Sequence, residues 1–309
     1  MEGPPDLVSA AAESIDEGAA FSPSCESAVP AESEIDLPET IIERRTGWQL
    51  VELRELWCYR ELLCFLTWRD IKVRYKQTVL GAAWAVLQPF ATMVVFSLFF
   101  GRLAELPAGS APYPLFVFAG LLPWYFFSNA ITSASQSVVG SQNLVTKVYF
   151  PRLIIPLGAI GASLVDFLIA FGMLVLMMLY YGVLPGLGIL LIPILSLGLL
   201  VAAVGVGTLL SALTVAYRDF RYVVPFMVQL WMFATPTIYM NAEGVVGPRG
   251  AAFLPLNPAY GLIAAFRASI VGSPIDLYAL TLSGTVGVLM LALGCLYFRR
   301  VERSFADII

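Results

Sequence analysis

Aromatic rings are the side chains of this chain best suited to binding a ligand. Residues 123–127 read Pro-Trp-Tyr-Phe-Phe, and further rings stand along the apolar segments. The face of an aromatic ring attracts the C–H face of a sugar by dispersion and weak C–H contacts. Trp and Tyr also collect at the ends of membrane helices as an interfacial belt, so both interpretations stay open. The candidate lining of a sugar pathway is Trp84, Trp124, Tyr125, Phe126, Phe127, Trp231 and Tyr239.

Groups that usually carry catalysis are missing from the sequence. Histidine is absent, which removes the commonest general base and zinc ligand. The four cysteines form no CxxC pair and no metal-ligand spacing. Lys72, Lys76 and Lys147 are the only lysines and none follows a glycine, so there is no phosphate-binding GxxxxGK(S/T) loop. We therefore expect no metal site, no catalytic residue and no cofactor in this chain, and any ATP and Mg²⁺ would be bound by a separate ATPase.

Long uncharged apolar segments indicate an integral membrane protein. Hydrophobic residues make up 59% of the chain, too many for an ordinary soluble domain. About 20 apolar residues suffice for a helix to cross roughly 30 Å of hydrocarbon. Splitting the apolar stretches at turn residues predicts an all-α fold with six membrane-spanning helices. The predicted spans are 81–101, 113–135, 153–181, 188–214, 222–240 and 277–298.

The distribution of basic residues gives the predicted spans an orientation. Six spans put both termini on one side, and cytoplasmic termini place fifteen of the eighteen Lys and Arg residues inside. Only Arg102, Arg249 and Arg267 then lie outside. Cytoplasmic loops carry an excess of Lys and Arg. We therefore predict a multi-pass protein of the cytoplasmic (inner) membrane with both termini in the cytoplasm.

The parts of the chain outside the spans are predicted to be peripheral. Residues 1–47 read as a disordered acidic tail, because they hold eleven acids and too few apolar residues for a core. Residues 48–80 have apolar side chains at helical spacing opposite basic ones, which predicts an amphipathic helix in the membrane interface. That helix either anchors the first span or takes part in gating or in contact with a partner. A transmembrane domain at 81–298 and a cytoplasmic tail at 299–309 complete the chain.

A cytoplasmic segment and a buried carboxylate are candidate functional features. Residues 143–152 predict a short helix stopped by Pro151, with Val148, Tyr149 and Phe150 exposed for docking into a partner's groove. An ordinary loop on the lipid headgroups is the alternative. Asp166 lies inside the third span, where an ionisable group normally faces the bundle interior or water. Other spans lack titratable partners for a proton relay, so we favour a structural hydrogen bond or a dimer contact.

The last external region is much longer than the other outer loops. Residues 250–266 are too short and too interrupted to cross the membrane, which predicts a re-entrant or interfacial helical hairpin before the last span. Asn257 begins a helix-start signal there, and Arg267 has Asp276 as a possible ion-pair partner at the outer end.

Several short motifs follow one another in a fixed order over roughly residues 50–305. They are RDIKVRYKQT at 69–78, Leu80-Gly81 with Trp84 and Gln88-Pro89, GLLPWYFF at 120–127, KVYFPR at 147–152, Val165-Asp166-Phe167, Tyr217-Arg218-Asp219 and Leu256-Asn257-Pro258. This series resembles the permease subunits of ABC exporters for cell-surface polysaccharides, which export lipid-linked O-antigen, capsule or teichoic-acid chains.

The resemblance implies an assembly and a set of roles. Two copies of this chain would pair with two copies of a cytoplasmic ABC ATPase and extrude a polyprenyl-linked polysaccharide, in contact with membrane lipids and without nucleic acid. The hairpin with Asn257 and Arg267 would belong to the outer gate. The coupling residues to the ATPase would be Lys147, Val148, Tyr149, Phe150, Pro151 and Arg152. The interfacial gate helix would carry Trp57, Arg60, Trp68, Arg69, Arg74, Tyr75 and Lys76.

Two other functions are weighed against this one. An ABC exporter of teichoic acid, another lipid or a small molecule would share the spans, although the motif at 69–78 disfavours a drug or small-lipid exporter. A membrane-embedded glycosyl- or acyltransferase would need clustered acidic, His or metal-binding residues at the interface, and the sequence lacks them.

The orientation can be tested by cysteine labelling in spheroplasts, with the four native cysteines replaced by serine. A cysteine added at either terminus should react with a membrane-impermeant maleimide only after permeabilisation, whereas Arg249→Cys should react in intact spheroplasts. Labelling of one terminus but not the other in intact spheroplasts would contradict the predicted even number of spans.

Overall fold

Every regular element in the described part of the chain is a helix. The structure, a computed structural model, describes residues 53–76, 78, 81–102, 112–183, 186–233, 235, 247, 253–302 and 305. All of them belong to the unit formed by residues 47–309. The predicted acidic tail lies outside the described residues.

Ten α-helices are present among the described residues. In chain order they are α1 Leu53–Cys58, α2 Arg60–Tyr75, α3 Ala83–Phe96, α4 Tyr113–Gly140, α5 Gln142–Lys147, α6 Ile154–Tyr180, α7 Ile192–Ala216, α8 Phe220–Phe233, α9 Tyr260–Val271 and α10 Leu277–Glu302. A π-helical turn, Ser97–Arg102, continues α3, and 3₁₀ turns at Leu187–Leu191 and Leu254–Leu256 precede α7 and α9.

Four helices in the described residues are long and apolar enough to cross a membrane. They are Tyr113–Gly140, Ile154–Tyr180, Gly188–Ala216 and Leu277–Glu302. These four match the predicted spans at 113–135, 153–181, 188–214 and 277–298. The other two predicted spans correspond to shorter apolar helices, α3 with its π turn and α8. The membrane-embedded, all-helical class is therefore confirmed, and the count of six spans stays a prediction.

Helix α4 forms the centre of the bundle. It is the most buried of the four long helices, and it packs against α6, α7 and α9. Pro112 and Pro114 fix the backbone where α4 begins, and Pro123 lies within it. The run of Ser and Thr at 128–137 is helical, and the hydroxyls of Ser128, Ser135 and Ser137 are satisfied by carbonyls three residues earlier. The helix ends at Gly140, five residues past the predicted end at residue 135.

Helices α7 and α10 form the most extensive helix pair, and small residues allow it. A Cβ placed on Gly205 would collide with the backbone of Leu291, and one on Gly294 would collide with the carbonyl of Gly205. Gly287 lies in the same way against Ala202. In lipid the hydrophobic effect does not drive helices together, because the lipid tails are as apolar as the side chains. Close packing of helix backbones is therefore a main source of helix association.

A second hydrophobic cluster joins one end of several helices. We call it the end cluster. It comprises Leu66, Val138, Val145, Phe150, Leu153, Ile154, Ile155, Ala212, Val215, Phe298 and Phe305, all buried. These residues come from α2, α4, α5, the turn before α6, the start of α6, α7, the end of α10 and the short segment after it. Helix α10 continues four residues past the predicted span end, and Phe305 is buried against Phe298 at 5.2 Å between ring centroids.

Helix α2 runs beside α6 in the same direction. A Cβ on Gly158 would lie 3.2 Å from Cβ of Leu66, and one on Gly161 would lie 2.9 Å from Oγ1 of Thr67. Further along, Arg74 and Tyr75 reach Asp166. Two helices, α1 and α2, stand where one amphipathic helix was predicted at 48–80, and α2 packs on α6.

The α7–α10 contact predicts a difference between two glycines of one helix. Gly294→Ala should destabilise the protein by about 1–3 kcal/mol, because its Cβ would lie on the Gly205 carbonyl and 2.7 Å from Oγ1 of Thr208. Gly284→Ala is the control, since no atom lies within 4 Å of its Cβ, and alanine there should be neutral or stabilising. Thermal unfolding of the detergent-purified variants checks this, and equal midpoints would contradict the packing.

Candidate functional site

A cavity of about 400 Å³ lies between α2, α3, α4 and α6. It brings together residues that the sequence assigned to separate features: the gate helix, the aromatic pathway and the buried carboxylate. Its lining is Arg74, Tyr75, Gly81, Trp84, Ala85, Gln88, Pro89, Leu122, Tyr125, Phe126, Asn129, Ser133, Ser163, Asp166, Phe167 and Ala170.

A charged cluster closes one side of the cavity. Asp166 lies near the middle of α6, and its two carboxylate oxygens accept hydrogen bonds from the guanidinium of Arg74 and the hydroxyl of Tyr75. A second nitrogen of Arg74, Nη2, lies 3.5 Å from Oγ of Ser133 on α4. An ionised carboxylate inside an apolar helix is expensive unless it is paired, so these two partners satisfy Asp166.

Tyr75 is held in its neutral, donating form. Its partial burial and its hydrogen bond to Asp166 raise the pKa of the phenol well above the usual value of 10.0. The phenol therefore keeps its proton throughout the physiological range and donates to Asp166. Arg74 remains accessible, since a third of its side chain is exposed. The cluster thus combines a satisfied carboxylate with a cation that a ligand in the cavity can reach.

The opposite wall offers ring faces and hydrogen-bonding groups. Trp84 on α3 is 51% exposed, and Tyr125 on α4 shares a hydrogen bond of 2.7 Å with Thr92. Phe126 packs on Phe167 with ring centroids 5.3 Å apart. A cation, amide and hydroxyl groups and exposed aromatic faces together suit a polar ligand with sugar or phosphate groups.

Asn129 and Ser133 are lining residues that the sequence reasoning missed. The available signal was the spacing of four between Tyr125, Asn129 and Ser133, which sets the three on one face of α4. Gln88 on α3 also lines the cavity, and no spacing of polar residues pointed to it.

The remaining predicted pathway rings do not line this cavity. Trp124 and Phe127 are buried in the core on another side of α4, and Phe127 packs on Trp231 at 6.2 Å. Their ring faces are covered by protein neighbours, so within the protomer they contribute to packing. Tyr239 lies outside the described residues.

The remaining gate-helix residues lie on the outer surface of α1 and α2. Trp57 and Trp68 are exposed, with Arg60 5.4 Å and Lys72 5.6 Å from the respective ring centroids. Arg69 pairs with the adjacent Asp70 at 2.8 Å, and Lys76 is exposed at the end of α2. Apolar rings with bases folded over them are typical of a helix at a membrane surface.

The predicted docking segment follows α5, and one part of the prediction is wrong. Lys147 ends α5, and Val148 and Tyr149 are exposed, Tyr149 at 74%. Phe150 was expected to be exposed as well, but it is only 5% exposed, because its ring packs in the end cluster. Pro151 and Arg152 are half-buried, and Arg152 contacts Glu302 at the end of α10.

Asn257 forms a buried polar junction before α9. Its amide nitrogen donates to Thr235 at 3.0 Å, and its side-chain oxygen accepts from the backbone N–H of Ala259 at 3.0 Å. Ser283 of α10 donates to the Asn257 carbonyl at 3.0 Å. Arg267 is buried in α9 with its guanidinium 4.2 Å from the ring centroid of Phe116. Asp276 caps α10 at Tyr278 and Ala279, and its pairing with Arg267 stays a prediction.

A larger apolar cavity of about 770 Å³ follows along the same helices. The polar cavity uses residues 84–89 of α3 and 163–170 of α6, and the apolar one uses residues 90–98 and 173–181 of the same two segments. The lining of the second cavity is Phe90, Met93, Val94, Ser97, Leu98, Tyr113, Pro114, Met173, Leu176, Met177, Tyr180 and Tyr181. The two cavities therefore follow one another along α3 and α6, and we call them together the groove, with a polar and an apolar section.

Comparison with known proteins gives one matching family and several relatives. The family described as ABC-2 type transporter matches residues 61–271. The O-antigen export system permease protein RfbA of Myxococcus xanthus is 29% identical over 256 residues, 82% of this chain and 98% of the relative. A protein of the same name from Klebsiella pneumoniae is 25% identical over 81% of this chain and 95% of the relative. The polysialic acid transport protein KpsM of Escherichia coli is 28% identical over 76 residues, 25% of this chain and 30% of the relative.

The charged cluster predicts non-additive mutations. Arg74→Ala should destabilise the purified protein by about 1–3 kcal/mol, because it leaves Asp166 without its cation, and adding Asp166→Asn should restore part of the loss. Arg69→Ala is the control, since its adjacent partner Asp70 keeps 25% of its side chain exposed against 14% for Asp166, and the loss should stay below about 1 kcal/mol. Thermal unfolding in detergent measures all variants. A double variant no more stable than Arg74→Ala would contradict the pairing.

Proposed function

Because the chain belongs to the ABC-2 type transporter family, we propose that it is the membrane-spanning subunit of an exporter for a lipid-linked polysaccharide. The observation that carries this proposal is the match to O-antigen export permeases along almost the whole length of those relatives. The chain crosses the cytoplasmic membrane with both termini inside, and a separate ABC ATPase binds ATP and Mg²⁺. The chain itself has no ATPase site.

Six spans would complete the membrane domain. Helix α3 with its π turn runs from Ala83 to Arg102, and α8 begins at Phe220. The predicted span at 222–240 extends past the end of α8 at Phe233, and its last residues lie outside the described part of the chain. Helix α9 is only twelve residues long and is enclosed by α4, α7 and α10, which supports a hairpin that enters the outer side without crossing. In this proposal Asn257 and Arg267 hold the outer gate.

The groove beside α3 would accept the substrate. Its polar section offers Arg74, Trp84 and Asn129 to sugar and phosphate groups, and its apolar section offers Met and Tyr side chains to a polyprenyl tail. The order of the two sections matches an amphipathic substrate, whose polar head and lipid chain need different surroundings. Helix α2 forms one wall of the polar section, so a shift of α2 would open or narrow it, as a gate helix requires.

Two copies of the chain would form the complete conduit. Helix α8 exposes a row of large apolar side chains at helical spacing, Tyr222, Phe226 and Leu230. A second copy of the chain or lipid would cover this row. A homodimer matches the two ATPase subunits that drive ABC transporters.

The exposed segment after α5 would dock onto the ATPase. Val148 and Tyr149 project from the surface beside Lys147, while Phe150 and Pro151 fix the segment to the protein. Val148 and Tyr149 can contact a partner while Phe150 keeps the segment packed on the protein. Such a segment can be pushed without unfolding, which suits a coupling element. This segment, residues 147–152, therefore converts closure of the ATPase dimer into movement of the permease.

The proposal is tested by replacing Tyr149 in cells that make the chain together with an ABC ATPase of the same genome. Tyr149→Ala should lower surface polysaccharide by about tenfold, since loss of one buried aromatic at an interface costs about 1–2 kcal/mol or more. Amounts of the permease in the membrane should not change. The matched control is Tyr278→Ala, an exposed tyrosine at the start of α10 that lines neither cavity.

Two outcomes would contradict the proposal. Surface polysaccharide that is unchanged when the whole gene is deleted would remove the exporter function. Unchanged polysaccharide with Tyr149→Ala alone, at normal protein amounts, would remove the docking role of the segment and leave the exporter function standing.

A further inference from the structure

Helix α10 contacts the docking segment at one end and the Asn257 junction at the other. Ser283 and Glu302 are the contact residues on α10, and nineteen residues separate them, about 28 Å of helix. That length is close to the hydrocarbon thickness of a bilayer. No proline interrupts α10, so the helix is a continuous element between the two contacts.

At the end near the docking segment, Arg152 and Glu302 exchange two hydrogen bonds. The backbone N–H of Arg152 donates to the Glu302 carboxylate at 2.9 Å. In return the Arg152 guanidinium donates to the carbonyl of Glu302, the last residue of α10. Each charge sits at the helix end whose partial charge it complements, the carboxylate before the start of α6 and the guanidinium at the end of α10.

Aromatic packing strengthens the same joint. The Arg152 guanidinium lies 6.0 Å from the ring centroid of Phe305, and Phe305 packs edge-on against Phe298 of α10. Phe150 belongs to the same end cluster. Displacement of the docking segment would therefore have to carry the end of α10 with it or break this joint.

At its other end α10 holds the backbone of the junction before α9. The Ser283 hydroxyl donates a shared hydrogen bond to the carbonyls of Pro255 at 2.9 Å and Asn257 at 3.0 Å. It accepts from the backbone N–H of Gly261 at 2.9 Å. Gly261 is also packed so closely on Ala279 that a Cβ would collide with the Ala279 carbonyl. Movement of α10 along its axis would pull directly on residues 255–261.

We propose that α10 transmits movement of the docking segment to the hairpin at residues 254–271, with Glu302 and Ser283 as the positioning residues at its two ends. This rests on the proposed function, since it assumes that the ATPase acts on residues 147–152. Glu302 is not among the residues that line the polar cavity. It acts on the docking segment through Arg152. Ser283 acts in the same way through the backbone at Asn257.

The experiment uses the full chain in complex with its ATPase, with native cysteines replaced by serine and Leu256→Cys as a reporter. Leu256 is exposed beside the junction, so the reaction rate of the reporter thiol with a maleimide follows the state of the hairpin. Rates are compared without nucleotide and with ATP plus vanadate, alongside ATP hydrolysis and surface polysaccharide. The variants are Glu302→Ala, Glu302→Gln and Ser283→Ala. The control is Glu61→Ala, an exposed carboxylate on α2.

Glu302→Ala should keep ATP hydrolysis within about twofold of the parent while surface polysaccharide falls about fivefold or more, the range of a typical coupling energy. The nucleotide-dependent change in the labelling rate of the reporter thiol should be lost. Glu302→Gln should recover part of both, because its amide oxygen still accepts from the Arg152 N–H. Ser283→Ala should give the same separation of hydrolysis from export, and it tests the proposal even where Glu302→Ala fails to assemble.

Other outcomes would overturn the proposal. Export and a reporter-thiol response that are unchanged in both Glu302→Ala and Ser283→Ala would show that α10 transmits nothing. Parallel loss of hydrolysis and export in both variants would assign them a purely structural role. Absence of ATP-dependent export in the parent complex would instead refute the proposed function. That outcome is measured on the parent alone and does not depend on the two α10 variants.

Discussion

A carboxylate in the middle of an apolar helix sets the arrangement of the amino-terminal half of this protein. A buried polar group is costly without hydrogen-bond partners, and α2 supplies both partners of Asp166, Arg74 and Tyr75. Small residues on α6, Gly158 and Gly161, let α2 approach closely enough to do so. The same contact forms a wall of the polar cavity. The packing of α2 on α6 therefore also forms the polar cavity.

The groove and the end cluster draw on different parts of the helices. The groove beside α3 collects polar and aromatic side chains from α2, α3, α4 and α6, while the end cluster collects the helix ends and the turn before α6. Between them, α4 is the buried centre against which the long helices pack. In the proposed exporter, the ATPase would move the end cluster. The helices that start there would carry this movement to the groove.

The sequence predicted the long elements well and their pairing poorly. Uninterrupted apolar length is a local property, so four spans could be predicted within a few residues. Arg74 and Asp166 are 92 residues apart, and no periodic pattern connects a cation before the first span with an acid in the third. Glu302 was likewise assigned to a cytoplasmic tail without a role, because a single acid after a basic cluster carries no signal of a partner.

Neighbouring residues at 149 and 150 illustrate why exposure could not be predicted there. The backbone leaves the helical conformation at Val148, which is extended, and successive side chains of an extended chain point to opposite sides. Tyr149 consequently faces solvent and Phe150 faces the end cluster. In saturation mutagenesis scored by growth, both codons would look equally intolerant. Only a parallel score of cellular abundance would separate them. Polar substitutions would lower abundance at the buried Phe150, whereas substitutions at the exposed Tyr149 would leave abundance unchanged.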